Sequence, residues 1–328
     1  MYIWISVKMS GRYYLLRKFG LAIIILFLFF GICIFFPFFS ICKAKDTNIL
    51  YVGGNGLGDY SIIQDAIDNS SDNDTIYVNN GTYYENLIIN KSINLIGQDK
   101  NSTFLVGNNS LYVILIKSLW INITEFTIKN GKIGAYIVGP DYSCNTIINN
   151  IFTENWEGIR LDNSSGNNIS LNNIKNNTNF GIISYESNNN IIGSNTFIDN
   201  YKAILLGRWS DYNVVSGNNF TENSFAVMID SSFNNIICKN SFYKNNLGIS
   251  LSYSKTNNIT ENVIEFTKDY GIYISNSEDN TILPNTFFKN YIDIKEETGP
   301  PVVKTPGFEI LFVFISILFI LILKRYKY

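Results

Sequence analysis

Residues 145–166 read NTIINNIFTENWEGIRLDNSSG, residues 167–189 read NNISLNNIKNNTNFGIISYESNN, and residues 190–212 read NIIGSNTFIDNYKAILLGRWSDY. Aligned on their first asparagine, these lines repeat one another with a period of 22 or 23 residues. An apolar mark recurs at Phe152, Ile174, Phe197, Phe220, Phe242, Ile264 and Phe287. Two residues before each mark stands Asn150, Asn172, Asn195, Asn218, Asn240, Asn262 or Asn285. Five residues before those stands Asn145, Asn167, Asn190, Asn213, Asn235, Asn257 or Asn280. A third row follows the mark at Asn155, Asn177, Asn200, Asn223, Asn245 and Asn290, with Thr267 as its one exception. The chain holds 47 asparagines, but a biased composition cannot put them in register.

Each repeat contains short apolar pieces separated by Asn, Gly and Ser, too short for helices and too few for a four-stranded blade. Three short strands and three bends per repeat make one coil of a solenoid, each strand pairing with its equivalent one coil on, about 4.8 Å away. Asparagine is expected at the bends because it tolerates the left-handed conformation, and its stacked amides can form hydrogen-bonded ladders. A leucine-rich repeat has a similar period, but no Leu-x-x-Leu-x-Leu frame is present and Ile and Val dominate. The fold expected is all-β: a right-handed parallel β-helix of about ten coils. Upstream, Tyr60 to Asn69 (YSIIQDAIDN) places Ile62, Ile63, Ala66 and Ile67 on one helical face. A short N-terminal helix there would cap the open end of the solenoid. Strands are expected around Thr75–Val78, Gly81–Tyr84, Leu87–Ile89, Ile93–Gly97 and Thr103–Leu105.

The stretch IQDAIDN…DTIYVNNGTYYENLIINKSINLIGQ, followed by N-x-[FI]-x-x-N coils, resembles NosD-like or pectin-lyase-like β-helix surface proteins of archaea and bacteria. The resemblance covers roughly residues 48–292. It is specific for fold and poor for activity, because folds of this kind host many functions. Its best-known label implies copper, and the residues speak against that. The chain has no histidine, and beyond residue 44 its soft donors are Met228, Cys144 and Cys238. The two cysteines lie about four coils apart, near 19 Å, too far for a disulfide. No metal and no cofactor is expected.

The lack of histidine also removes Ser-His-Asp and Cys-His catalysis and any histidine proton switch. The formal charge of −2 hides an uneven distribution. The first 44 residues hold five Lys or Arg and no acid, and the last 20 hold three and one. The middle, residues 45–308, therefore carries 17 basic and 26 acidic residues, a net of −9. Such a balance argues against a nucleic-acid partner. Residues 19–42 are uncharged and mostly apolar behind Lys8, Arg12, Arg17 and Lys18, which reads as a signal peptide cleaved after Ala44, or as an uncleaved anchor. Residues 310–323 form a second apolar run followed by Lys324, Arg325 and Lys327. Basic residues outside both runs put the ends in the cytoplasm and the middle outside. Pro306, Gly307 and Phe308 precede the second run, and this tail resembles the PGF-type sorting signals of archaeal surface proteins. The resemblance implies processing by a membrane sortase and replacement by a lipid; an ordinary C-terminal anchor is the alternative. The organisation expected is a signal segment at 1–44, an ectodomain at 45–292, a linker at 293–306 and a membrane or sorting segment at 307–328.

Sequons for N-glycosylation stand at Asn69, Asn73, Asn80, Asn90, Asn101, Asn108, Asn122, Asn163, Asn168, Asn176, Asn219 and Asn258. None of the fourteen asparagines in the two unbroken rows lies in one, which fits buried ladder amides and exposed acceptors. Two residues after the apolar mark the row reads Glu154, Asn176, Asp199, Glu222, Lys244. Asp199 and Glu222 would stand about one strand spacing apart, near the ~5 Å of a retaining glycosidase pair. They are the candidate catalytic pair; solvated acids beside a bend are the plainer reading. Arg160 with Asp162, and Arg208 with Asp211, are expected just after the next strand. Tyr142, Trp156, Tyr185, Tyr201, Trp209, Tyr212 and Phe225 could shield the solenoid or stack on sugars. The function expected is a membrane-tethered, non-catalytic surface protein that is structural or binds polysaccharide or envelope glycoproteins. A polysaccharide lyase, hydrolase or epimerase is the alternative.

Overall fold

The computed structural model describes residues 47–54, 59–107 and 111–297. The chain divides into two compact units, Met1–Thr47 and Asn48–Tyr328, and of the first only Thr47 is described. The signal segment, the Pro306-Gly307-Phe308 motif, the apolar run at 310–323 and the sequon asparagine Asn108 lie outside the described residues.

From Asn48 onward the backbone winds as a right-handed parallel β-helix of three ten-stranded sheets. A typical coil gives one short strand to each of the first two sheets and a longer one to the third. Thr146–Ile148, Ile151–Thr153 and Glu157–Asp162 make one coil, and Asn168–Ser170, Asn173–Lys175 and Phe180–Tyr185 make the next. Pairing runs residue on residue, with Ile147 beside Ile169, Phe152 beside Ile174 and Ile159 beside Ile182. Identical positions therefore stack at the strand spacing. The rings of Phe197, Phe220 and Phe242 lie 4.8 Å apart and within 10° of parallel in the dry interior. Each such fully buried side chain contributes about 1.5–3 kcal/mol. Where the third sheet opens, the row is small: Gly134, Gly158, Gly181, Ala203, Ala226, Gly248, Gly271. A Cβ at Gly158 would stand 2.6 Å from the Gly181 carbonyl oxygen, so this row sets how closely coils approach.

All three asparagine rows are ladders. The Asn195 Nδ2 donates to Asn218 Oδ1 at 3.1 Å and to the Ile169 carbonyl at 2.8 Å. Its Oδ1 accepts the Asn172 backbone N–H at 2.9 Å and the Asn172 side chain at 3.1 Å. Most members are at most 2% exposed, so the ladder satisfies amides that burial would otherwise penalise. Thr267 replaces the amide in the third row by donating both its N–H and its hydroxyl to Asn290 Oδ1.

The reason expected for asparagine at the bends is not the one found. No ladder asparagine has a positive φ; the residue just before it does, except at Asn285, which follows Pro284. In the second row these are Asn149, Leu171, Ser194, Gly217, Lys239 and Glu261, with φ between 55° and 66°. The left-handed turn is thus taken by residues of almost any type, and asparagine is selected for its side-chain amide. A serine row joins the ladders. Ser164, Ser187, Ser210, Ser232 and Ser254 each donate a backbone N–H to the hydroxyl one coil on, ending at Ser277.

The N-terminal helix spans Ile63–Asn69, with Ile63, Ala66 and Ile67 buried. Ile62, expected on that face, is the N-cap residue and 44% exposed. Its side chain offers no cap; instead the Glu85 carboxylate accepts the N–H groups of Ile63 and Gln64 at 2.9 and 3.0 Å. At the other end Lys91 Nζ donates to the carbonyls of Ile67, Asp68 and Ser70. At the far end of the solenoid the last strand, Ile292–Glu297, runs five residues past position 292. It also breaks the interior pattern. Asp293 follows Gly271 in the small row, and Glu296 pairs with Ile274 where earlier coils place Leu251 or Ile229.

Candidate functional site

The corner between the second and third sheets carries the surface features that could hold a ligand. Each coil turns it on a residue with a left-handed backbone followed by the third ladder. Those residues are Glu154, Asn176, Asp199, Glu222, Lys244, Phe266 and Lys289, with φ between 52° and 58°. The turn sends their side chains away from the core. Asp199 and Glu222 thus stand one coil apart on one line, both exposed, as the sequence row implied. Their backbone N–H groups donate to the Thr221 and Tyr243 carbonyls of the following coil.

Both carboxylates line a solvent-open concavity of about 400 Å³ together with Asn176, Thr178, Tyr201 and Ser224. Lys202, which follows Tyr201, holds its ammonium over the rings of Phe180 and Tyr201, at 5.0 and 5.4 Å. A retaining pair needs one carboxyl kept protonated by an apolar pocket or a close like charge. Here both acids face water, beside hydroxyls, amides and one aromatic ring. The set is one of hydrogen-bond acceptors and donors around a stacking surface.

A second concavity, about 270 Å³, lies upstream on the outer face of the second sheet and reaches the same corner at Asn130. Tyr84, Phe104, Val106, Lys129 and Asn130 line it, and the Lys129 ammonium sits 5.6 Å from the Phe104 ring centroid. Asn130 has φ 61° and precedes Gly131, whose N–H donates to Asn155 Oδ1 at the head of the third ladder.

A charged cluster that the sequence did not single out as a unit lies on the outer face of the third sheet. Arg160 and Asp162 are not after the strand but within Glu157–Asp162. Arg160 Nε meets Asp162 Oδ2 at 2.8 Å, and its Nη1 meets Glu157 Oε2 at 3.3 Å. Its guanidinium lies 5.8 and 5.4 Å from the ring centroids of Tyr136 and Tyr185, one coil to each side. Burial and a hydrogen bond to Asp162 push the Tyr136 phenol up to about 12. Burial also pushes the Glu157 carboxyl above its ordinary range, against the pull of Arg160. A phenol so held keeps its proton, and the guanidinium stays charged. The cluster ties three coils together. Arg208 lies over the other side of this group, 4.9 Å from the Tyr185 centroid, while Asp211 caps the Phe233 N–H. The alternation Arg160-x-Asp162 was a visible signal, but the flanking tyrosines belong to other coils.

The remaining expectations sort by exposure. Trp156, Tyr201, Trp209 and Tyr212 are exposed, whereas Tyr142 packs on the core and Tyr185 on the outer group of Phe180, Ile183 and Leu205. Of the sequon asparagines, Asn69, Asn73, Asn80, Asn90, Asn101, Asn163, Asn176, Asn219 and Asn258 are exposed, and Asn122 and Asn168 are half-buried. Cys144 and Cys238 are free thiols four coils apart, Cys144 on the bend before the first ladder and Cys238 at the end of a first-sheet strand. Burial raises the Cys238 thiol, and Met228 packs on the outer apolar group. Among the described residues no three His, Cys, Asp or Glu side chains converge, so this donor set does not fit a soft metal such as copper. Among the described residues no helix is long and apolar enough to cross a membrane.

A family model described as periplasmic copper-binding protein (NosD) matches residues 67–247 and 227–303. No curated protein sequence matches the chain. Solved structures of similar shape include the A-module of a mannuronan C-5 epimerase from Azotobacter vinelandii. It is 12% identical with a TM-score of 0.56, covering 73% of this chain and 94% of that one. An alginate lyase from a Paenibacillus species is 13% identical with a TM-score of 0.53, covering 75% and 99%. The Dettilon tailspike protein is 14% identical with a TM-score of 0.53, covering 73% of this chain and 62% of the tailspike. At such identities the likeness is one of fold.

Proposed function

The chain belongs to the NosD family, and from that premise we propose that it is an extracellular β-helix that binds glycans without turning them over. In this reading residues 1–44 direct export and residues 307–328 hold the protein at the membrane, as an anchor or through sorting at Pro306-Gly307-Phe308. The bound polymer is a polysaccharide or the glycan of an envelope glycoprotein. One observation carries the reading: the open concavity where Asp199, Glu222, Thr178 and Ser224 surround the exposed Tyr201. Carboxylates and hydroxyls beside an aromatic face are the groups that hold sugar hydroxyls and a pyranose ring. Copper has no place in this reading: the chain has no histidine, and among the described residues no three Cys, Asp or Glu side chains converge.

A catalytic reading draws on Asp199 and Glu222 standing one coil apart, and on fold neighbours whose names are those of an epimerase and a lyase. The two readings part on one experiment. The purified protein is offered a panel of neutral and acidic glycans, with and without calcium. Binding without turnover is the expected result. Turnover that disappears in Asp199→Asn or Glu222→Gln would establish a lyase, hydrolase or epimerase instead.

A further inference from the structure

The upstream concavity lies on the outer face of the second sheet and meets the corner of the downstream one at Asn130, an alignment that follows from strand register. Lys129 of the upstream one pairs with Thr153, Thr153 with Lys175, and Lys175 with Ile198, the residue before Asp199. Three coils separate them, about 14 Å along the axis at the usual strand spacing. The surface between them is not bare. Trp156, 49% exposed, and Tyr201, 48% exposed, take the same step of the bend two coils apart, each just past a third-ladder asparagine. With Tyr84 and Phe104 upstream, aromatic side chains recur from the second sheet's first strand, Gly81–Tyr84, as far as Tyr201, and the last acid, Glu222, follows Asn219–Thr221. From the first of these strands to the last is six coils, about 29 Å. The rise per coil is close to the length of one pyranose unit in an extended chain, so a polymer lying along the axis meets an equivalent step with each sugar.

We propose that the two concavities are parts of one track that takes a linear, uncharged glycan lying parallel to the solenoid axis. The proposal rests on the glycan-binding reading above and specifies its ligand. Shape gives the linear part. Charge gives the rest. Glu154, Asp199 and Glu222 line the track's central and downstream steps without an ion pair among the described residues, while the ammoniums of Lys129 and Lys202 are turned onto the rings of Phe104, Phe180 and Tyr201, and Lys175 is the further cation between them. A polyuronate would set its own carboxylates against these, with repulsion of roughly 1 kcal/mol per close pair even in a water-like dielectric. An uncharged sugar instead donates its hydroxyls to the same oxygens. Past Glu222 the corner changes sign at Lys244 and Lys289, whose ammoniums lie over Tyr243, Phe266 and Phe288, and the track ends there.

The test is calorimetric titration of the purified full-length protein in detergent. The probes are gluco-, manno- and xylo-oligosaccharides of increasing length, and oligouronates of the same lengths. At least one uncharged series is expected to gain affinity with length, levelling off at about six or seven sugars. Trp156→Ala and Tyr84→Ala should each weaken the longest chain about tenfold. Binding of a disaccharide in the Tyr201 concavity should not change, which a misfolded variant could not show. Glu222→Gln should raise whatever affinity oligouronates have. Tighter binding of oligouronates than of every uncharged series would overturn the proposal and leave glycan binding standing. So would affinity that does not depend on length. Binding of neither class would overturn both.

Discussion

A buried asparagine in the ladders is a four-fold hydrogen-bonding group, and its value shows when it is removed. Asn195→Ala would take a side-chain donor from the Ile169 carbonyl and from Asn218 Oδ1 and remove the acceptor for two donors of Asn172, all in the dry interior. The expected loss is on the order of 3 kcal/mol. Asn258→Ala, on an exposed strand position, should change stability by no more than about 0.5 kcal/mol. Urea denaturation of both variants checks the contrast, and equal losses would contradict it. Glu157 behaves differently, because burial raises its carboxyl above the ordinary range. A raised folded-state value means that the protonated form is favoured in the fold. The contribution is therefore fully present below the unfolded Glu range and is lost as pH rises through the raised value. Denaturation midpoints should fall across that window in the wild type. Glu157→Gln should flatten this part of the profile; an unchanged slope would place the effect elsewhere. The ladder residues could be read from the sequence because one amide recurs at one spacing. The left-handed positions could not. Leu171, Tyr253 and Phe266 hold φ near 50° with nothing in their type to announce it.

At the scale of elements, strands were readable because they repeat, and their pairing followed from the period alone. The helix was readable from its apolar face but not from its ends. Its start is held by Glu85 and its finish by Lys91, both more than fifteen residues away along the chain. A local reading looks for a cap within the helix's own turn, and here Ile62 offers none. Lys91→Met should cost about 1–2 kcal/mol, since three carbonyls lose a charged donor at the negative end of the helix. The loss should be local. Amide hydrogens of residues 63–70 should exchange faster, while those of Thr196–Ile198 in the second sheet keep their protection. Uniform acceleration would mean that the lysine supports the whole solenoid rather than its cap. The Arg160 cluster was hidden for the same kind of reason. Its members Tyr136 and Tyr185 belong to neighbouring coils, and only the strand register shows that they flank one guanidinium. The Asp199–Glu222 step was readable because it follows the repeat frame. The upstream concavity was not, because Tyr84 and Phe104 precede the regular coils.

Over the whole molecule, the faces differ in what they can carry. Among the described sequons, Asn122, Asn168 and Asn258 point outward from the first sheet, Asn219 lies in the second, and none lies in a strand of the third. Asn69 ends the helix, and the others sit between the elements. In an exported protein, glycans would then crowd one side of the solenoid and leave the long outer face of the third sheet bare. One sequon conflicts with this separation. Asn176 lines the concavity that holds Asp199 and Glu222, and a glycan there would occupy the space proposed for ligand. The first-sheet asparagines have no such conflict, and Asn258 is the more exposed acceptor beside the half-buried Asn168. Peptide mapping of the native protein should therefore find Asn258 modified and Asn176 bare, although both sequons end in threonine. A glycan on Asn176 in protein that still binds oligosaccharide would move the binding track off this corner. A complete lack of modified asparagines would remove the glycan shield and leave the ladder-free asparagines to be explained as bend and surface residues alone.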